Sequence, residues 1–317
     1  MIEEIKRNIL HSKNPEFAKE TYYNIINQGL EGFIREDEVH GRYFKNISQR
    51  NQSTKIRNII YLNWADEFSK IAHKKKWKVI FLKGIVLLED IYTEIQHRTL
   101  GDIDILISKE IFSNVEQYLI DDGFKKTGEK KWKGNNFKSN LVKTIHGIEV
   151  VIELHSRLFM NEDNINWESA PFKNQFSRRL TPTDELVHLM GHLAYQHTFL
   201  KIHWLLDIAL HLKKYQNELD MNRFHELNSK LGHKNSTFSV LIALSKFGIR
   251  YDLIKSDFFR GIIFRIFNNK KFLCAPKSYK LNYFIIKHAT KSSWYESIKY
   301  DILWLCYQLK QLKRNRF

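Results

Sequence analysis

Gly101-Asp102-Ile103-Asp104-Ile105-Leu106-Ile107 is the most informative stretch of this 317-residue chain. Its acidic and apolar residues alternate, and a period of two is typical of a β-strand whose successive side chains point to opposite faces. Asp102 and Asp104 are therefore predicted to share one face, opposite the isoleucines. Neighbouring carboxylates repel each other, so a buried strand holds them together only with a compensating cation. A divalent metal is the natural partner and indicates phosphate chemistry.

The residues before this strand predict a second strand, a glycine turn and a helix. Val79 to Leu82 is a short apolar run that ends at Lys83 and Gly84, and an apolar helical stretch covers Ile85 to Tyr92. A glycine between a strand and a helix lets backbone N–H groups approach a triphosphate. Lys83 and Gly84 are therefore candidate phosphate-binding residues, and Arg98, in the loop entering the acidic strand, is placed to reach phosphate oxygens.

Two more strands are predicted downstream, Lys138 to Ile145 and Glu149 to His155, joined by a hairpin turn. Glu153 sits in the middle of the second strand and is the candidate third carboxylate, whereas Glu149 lies nearer the turn and is the weaker choice. Three carboxylates could hold two metal ions, and oxygen ligands without thiolates favour Mg²⁺ or Mn²⁺ over zinc. His155 shares the face of Glu153 and is placed to orient a metal-bound carboxylate or to accept a proton.

The rest of the chain is predicted to be mostly helical. A polar helix covers about Lys109 to Asp121, the strand signal fades after Pro171, and Thr181 opens the first of several helices that continue to the end. The last is an amphipathic helix with a basic tail, marked by Trp294, Ile298, Ile302, Leu305, Leu309 and Leu312.

The fold class that follows is α+β, with a small mixed sheet and flanking helices as the core and helical regions at both ends. We divide the chain into a helical N-terminal cap at residues 1–75, a core at 76–175 and a helical C-terminal domain at 176–317.

Composition limits the functional classes. The formal net charge of +16 favours anionic partners, although lysines are spread along the whole chain. No signal peptide and no run of eighteen uncharged apolar residues is present, so we expect a cytoplasmic protein without a transmembrane segment. Cys274 and Cys306 have no ligand-spaced neighbours and are expected to be core thiols. The glycine-rich dinucleotide and P-loop motifs, the serine hydrolase elbow and the zinc protease motif are all missing from the sequence.

The order of these features resembles the DNA polymerase β-like nucleotidyltransferase superfamily, and more closely its uncharacterised bacterial nucleotidyltransferase branch. The resemblance covers roughly residues 79 to 210. It rests on Leu82-Lys83-Gly84, Arg98-Thr99-Leu100-Gly101-Asp102-Ile103-Asp104, Glu153-Leu154-His155, His188, His192 and Trp204-Leu205-Leu206-Asp207. Two features depart from the superfamily pattern: Ile85 stands where a second small residue, often serine, usually follows the glycine, and the interval from Gly84 to Asp102 is long.

The resemblance implies an enzyme that transfers a nucleoside monophosphate from a nucleoside triphosphate to an acceptor, with pyrophosphate leaving. Asp102, Asp104 and Glu153 would be its catalytic residues and the ligands of two Mg²⁺ or Mn²⁺ ions. The triphosphate would be received by Lys83, Gly84 and Arg98. A nucleic acid acceptor is a third possibility, which the positive charge favours, but no known RNA-binding motif is present, so we expect a small molecule, a peptide or a protein more than a nucleic acid.

A row of histidines follows the predicted sheet. Asp184, His188 and His192 recur every fourth residue on one helical face, and His197 and His203 come next. A second metal site, a hydrogen-bonded face that lines the cleft, and plain core packing are the three interpretations of this row. We assign His192, together with His155, to the residues that bind the nucleotide.

A catalytically silent protein is the alternative from a different class. Such an adaptor would keep the nucleotidyltransferase fold and would use its basic surface, including the helix at 294–317, to bind a partner or an anionic membrane. The intact set of three carboxylates argues against this alternative, but a weak contact with an anionic membrane surface is compatible with either function.

Overall fold

The computed structural model describes residues 2–9, 15–39, 41–127, 138–159, 162, 165–255, 258–293, 295, 297–298 and 301–302. Helices dominate these residues. The α-helices are α1 (Ile2–Ile9), α2 (Pro15–Gln28), α3 (Gly41–Lys75), α4 (Gly84–Asp90), α5 (Lys109–Asp121), α6 (Pro182–Met190), α7 (Ile202–Tyr215), α8 (Met221–Lys230), α9 (Lys234–Ser245), α10 (Phe258–Phe267), α11 (Lys270–Cys274) and α12 (Lys280–Ala289). A π-helix, Gly191–Gln196, continues α6.

Seven strands form one mixed sheet in the described part of the chain. They are β1 (Val79–Leu82), β2 (Ile103–Ile107), β3 (Lys125–Thr127), β4 (Lys138–Ile145), β5 (Ile148–His155), β6 (Ser169–Pro171) and β7 (Ser177–Leu180). Their order across the sheet is β3-β4-β5-β2-β1-β7-β6. The pairs β2–β5 and β1–β7 are parallel, and the other neighbours are antiparallel. The predicted α+β class with a mixed sheet is therefore confirmed.

The hairpin between β4 and β5 has the predicted two-residue turn. His146 and Gly147 both have positive φ angles, 48° and 78°, as a type I′ turn requires. This turn matches the right-handed twist of the two strands, and it sets the register in which Asn140 lies opposite Glu153. The position of Glu153 therefore depends on a turn that is readable from the sequence.

The strand prediction missed three short strands. β3, β6 and β7 were not expected, and β7 lies beyond Pro171, where the strand signal fades. β7 has the sequence Ser-Arg-Arg-Leu, and because of its two arginines it lacks the apolar pattern by which a buried strand is recognised. It forms in the structure because β1 offers it a parallel backbone edge, with Val79 paired to Ser177. Asp102 was also expected within the acidic strand, whereas β2 begins one residue later.

Each face of the sheet covers its own apolar core. The alternate residues Ile103, Ile105 and Ile107 of β2 pack, with β5, against α3 and α5. On the opposite face, Leu82 of β1 and Leu106 of β2 pack in a core shared with α6, α7 and α9. Asp104 alternates with the isoleucines, so its side chain is on the second face, the one that the C-terminal helices cover.

Some predictions fall partly or wholly outside the described residues. Of the expected last helix, Ile298 and Ile302 are helical, whereas Trp294, Leu305, Leu309 and Leu312 lie outside. Cys306 also lies outside, and Cys274 is the buried free thiol that we expected. Within the ranges given above, no helix combines the length and the hydropathy that a membrane span requires.

Candidate functional site

Strand register brings together three of the residues singled out by the sequence. Asp104 pairs with Glu153 of the parallel neighbour β5 and with Leu82 of the antiparallel neighbour β1. Because neighbouring strands lie about 4.8 Å apart, two carboxylates on the same face at paired positions are close. One ligand atom each from Asp104, Glu153 and His155 lies within 4.8 Å of the other two. No other group of three potential ligands converges in this way among the described residues.

Lysine and histidine side chains surround these carboxylates. Lys83 Nζ and His155 Nε2 each lie 2.8 Å from the same oxygen, Oδ1 of Asp104. Lys138 Nζ lies 2.9 Å from Oε2 of Glu153, and His155 Nε2 lies 3.4 Å from that oxygen. His155 therefore points at both acids from the buried side, where its side chain is 3% exposed. The site is a compact network of alternating charges, the compensation that buried carboxylates require.

Asp102 stands beside this group but outside it. Burial, and next the negative charge of Asp104, raise the pKa of Asp102 to about 6. Burial also opposes ionisation of Asp104, but Lys83 and His155 outweigh it and hold the pKa of Asp104 well below its usual range. For Glu153, burial is likewise outweighed, chiefly by the hydrogen bond with His155, and the pKa is lowered to about 2. Asp104 and Glu153 are thus ionised at every physiological pH, whereas Asp102 can still accept a proton.

The turn between β1 and α4 has an unusual backbone. Lys83 has φ 50° and ψ −126°, a conformation that glycine adopts easily and that a residue with a Cβ atom adopts only with strain. This conformation aims the lysine ammonium at Asp104. At Gly84, an added Cβ atom would lie 2.8 Å from Leu100 Cδ2 and 3.7 Å from Arg98 Nη2. Gly84 is therefore needed because the loop before β2 passes directly over it.

The side chain of Arg98 is buried and is not exposed to solvent. Its Nε atom lies 3.0 and 3.2 Å from the two carboxylate oxygens of Asp207 in α7. Nη1 donates to the carbonyl of Thr99, and Nη2 faces Gly84. Tyr92 also donates to Asp207, at 2.6 Å. The arginine thus connects the loop before β2 to the helical C-terminal part, and Nη2 is the nitrogen that faces the turn.

The histidines form an aromatic cluster rather than a second metal site. Asp184 is bound by Arg223 at 2.9 Å instead of facing His188. The ring of His192 packs against His197 at 4.5 Å and Trp204 at 4.8 Å between centroids. Burial, and next the charge of Lys83, hold the pKa of His192 well below its usual range. His192 is therefore neutral.

Several residues that support the site were missed by the sequence analysis. Lys138 is the first residue of β4, and its ammonium group forms an ion pair with Glu153. Asp207 was noted only as part of a motif, and its partner was not identified. Asn58 of α3 donates to the carbonyl of Arg98 at 2.8 Å and accepts from the Leu100 amide at 3.2 Å. Its only signal in the sequence is a polar residue on the apolar face of α3, where it is fully buried.

A family model described as an uncharacterised nucleotidyltransferase matches residues 22–247 of the chain. The matched range contains every candidate residue discussed above, from Asn58 to Arg223, and it ends before α10. No curated protein matches the chain.

Proposed function

The chain belongs to this uncharacterised nucleotidyltransferase family, and from that premise we propose that it uses a divalent metal ion to transfer a nucleoside monophosphate from a nucleoside triphosphate to an acceptor. In this reaction a nucleophilic atom of the acceptor bonds to the α-phosphorus, and the bond to the bridging oxygen breaks, so that pyrophosphate leaves. The observation that carries the proposal is the convergence of Asp104, Glu153 and His155 beside the strained Lys83-Gly84 turn.

The donor atoms suit a divalent cation. Asp104 and Glu153 would hold it through carboxylate oxygens, and Asp102 would supply a further carboxylate once it has lost its proton. Oxygen ligands suit Mg²⁺ and Mn²⁺, and an imidazole among them is more readily accepted by Mn²⁺. When bound, such an ion would stabilise the charge on the attacking and leaving oxygens of the displacement. His155 would orient both carboxylates, since its Nε2 atom contacts each of them.

The residues of the turn would receive the triphosphate. The ammonium group of Lys83 provides a point charge, and the backbone N–H groups of the turn would donate to a phosphate oxygen. We assign Nη2 of Arg98, which faces Gly84, to the same oxygens. Because Arg98 is held by Asp207, its orientation is set before the nucleotide arrives, which is the positioning on which phosphoryl transfer depends.

The aromatic cluster supports a role for His192 at the nucleotide rather than at a metal. A neutral imidazole packed against Trp204 can contact a base or donate one hydrogen bond, but it adds no charge. We continue to expect an acceptor that is a small molecule, a peptide or a protein.

One observation favours the silent adaptor as a second candidate. Lys83 and Lys138 already pair with Asp104 and Glu153, so these acids have cationic partners within the chain. In an adaptor, this network would only stabilise the sheet. In an enzyme, Asp104 would have to exchange the Lys83 ammonium for a metal ion.

Calorimetry distinguishes the two candidates without knowledge of the acceptor. Each nucleoside triphosphate is titrated into the wild-type protein with Mg²⁺, with Mn²⁺ and with a chelator, and then into Glu153→Gln and Glu149→Gln. Glu149 lies on the same face of β5 as Glu153 but is exposed near the turn, so it is the matched control. We expect metal-dependent binding that Glu153→Gln weakens at least tenfold and Glu149→Gln leaves unchanged. Equal binding by both variants, or no metal-dependent binding by the folded wild type, would favour the adaptor.

A further inference from the structure

An apolar surface lies on α10 and α12, outside the range matched by the family model. Phe258 and Phe259 at the start of α10 are 76% and 78% exposed, and Leu281 and Phe284 of α12 are 66% and 57% exposed. Single exposed apolar residues are common, but a group of this size on two neighbouring helices marks an interaction site. We define the docking face as Phe258, Phe259, Ile262, Ile266, Leu281 and Phe284.

The two helices lie side by side and antiparallel. Arg260 Nη2 donates to the carbonyl of Ser292 at 3.1 Å, and Asn282 Nδ2 donates to the carbonyl of Phe267 at 2.7 Å. These two contacts join the start of α10 to the residues just after α12, and the end of α10 to the start of α12. The buried residues of α10 and α12, such as Phe264 and Ile286, belong to one apolar core. The exposed residues of both helices therefore belong to the outer side of one helical layer.

The charge of this part of the chain is of one sign. Residues 258–295 contain eight lysines and arginines and no aspartate or glutamate, and one acid borders the range on each side, Asp257 and Glu296. Two of these cations are paired with acids from elsewhere, Lys270 with Glu4 and Lys287 with Asp301. Four exposed cations remain in this range: Arg265 lies within α10, Lys280 directly precedes Leu281 in α12, and Lys271 and Lys277 lie in the segment that connects the two helices.

We propose that the docking face binds the surface of an anionic lipid membrane. Large apolar side chains on a helix that lies flat in the interface, flanked by lysine and arginine, are the features by which peripheral proteins bind such surfaces. A second copy of this chain is disfavoured because the cations of two docking faces would repel each other. A nucleic acid is disfavoured because half of the face is aliphatic, and only its three phenylalanines could stack on bases. This activity is additional to nucleotidyl transfer and does not depend on the proposed function.

Flotation of the full chain with lipid vesicles tests the proposal. The vesicles are phosphatidylcholine alone, or phosphatidylcholine and phosphatidylserine at roughly 7:3. The test variant is Phe258→Ala/Phe259→Ala, and the matched control is Ile56→Ala/Ile59→Ala, which removes two side chains of α3 that are 55% and 48% exposed. All four side chains are at the surface, so both variants should fold, which circular dichroism and a thermal melt will verify.

We expect the wild type to bind the phosphatidylserine vesicles and the test variant to bind them about tenfold more weakly, with the control unchanged. Lys271→Glu/Lys280→Glu should remove the preference for phosphatidylserine without unfolding the protein. The proposal is overturned if the wild type does not bind these vesicles, or if the test variant binds as well as the control. A labelled single-stranded RNA bound more tightly than the vesicles, and weakened by the same variant, would overturn it in favour of a nucleic acid. A wild-type dimer that the test variant abolishes would assign the face to a second copy.

Discussion

Among the acidic residues that the structure describes, Asp102 has the environment that most disfavours the charged form, so its replacement separates metal binding from stability. The pKa of about 6 lies above the value of an unfolded aspartate. The folded state therefore binds the proton more tightly, and the contribution of Asp102 to stability falls as pH rises from about 4 to about 6. We predict that Asp102→Asn raises the free energy of unfolding at pH 7.5 by about 1–3 kcal/mol, as urea denaturation will measure.

We also predict that Asp102 makes the proposed metal binding depend on pH. A metal competes with the proton on Asp102, so the affinity of the wild type for Mn²⁺ should fall as pH drops below about 6. Paramagnetic titration at pH 7.5 and 5.5 measures this change. Asp102→Asn should bind Mn²⁺ weakly at both pH values, with a smaller difference between them. An undiminished affinity of Asp102→Asn at pH 7.5 would remove Asp102 from the metal site.

Lys83 allows the backbone strain of the turn to be measured separately from the charge. Lys83→Gly and Lys83→Ala both remove the ammonium group that pairs with Asp104. Glycine adopts a φ of 50° without the strain that a Cβ atom causes. The glycine variant should therefore be more stable than the alanine variant by about 1–2 kcal/mol. Both variants should lose triphosphate binding in calorimetry. Equal unfolding midpoints for the two would mean that the turn relaxes when the lysine is removed.

For individual side chains, the sequence predicted the acidic residues of the candidate site better than the residues that contact them. Asp104, Glu153 and His155 were identified because each occupies an alternating position on a strand, and strand alternation fixes which face a side chain takes. The partner Lys138 could not be identified, because its contact with Glu153 depends on the register of β4 against β5. Arg98 was expected to reach phosphate, but its pairing with Asp207 joins residues that are far apart in the sequence.

Among the elements, α7 and the loop before β2 are joined by the buried pair of Arg98 and Asp207. Removing one member leaves an uncompensated buried charge, so Asp207→Leu and Arg98→Met should each destabilise the protein by about 3 kcal/mol. The double variant buries no unpaired charge and should lose less than the sum of the two. Denaturant unfolding of all four proteins gives this coupling directly. Additive losses would show that the two side chains do not depend on each other.

The strands differ in how far they can be predicted, for a physical reason. β2 and β5 are buried strands with apolar alternation, and both were found. β7 carries Arg178 and Arg179, whose charges are compensated by contacts such as that of Arg179 with Asp90 at 2.9 Å. A strand of this kind forms because a neighbour offers it an edge, and that neighbour is known only once the chain has folded.

For the whole molecule, the proposed division at residues 76 and 176 can be tested by expression of residues 76–175 alone. This fragment lacks β7 and the helices that cover Leu82 and Leu106. We predict that it is unfolded or insoluble while the full chain folds, as measured by circular dichroism and by the dispersion of amide resonances. A well-dispersed spectrum of the fragment would instead establish the core as an independent domain.

The parallel pairing of β1 with β7 also has a consequence for synthesis on the ribosome. A nascent chain that has reached residue 155 already contains β1, β2, β4 and β5, together with all three acids. One edge of the apolar strand β1 stays open until residues 177–180 have been translated. An unpaired apolar edge is a template for pairing with another chain. Between these two points the growing polypeptide therefore exposes an edge that can pair with another chain, and a chaperone that covered this edge would prevent such pairing.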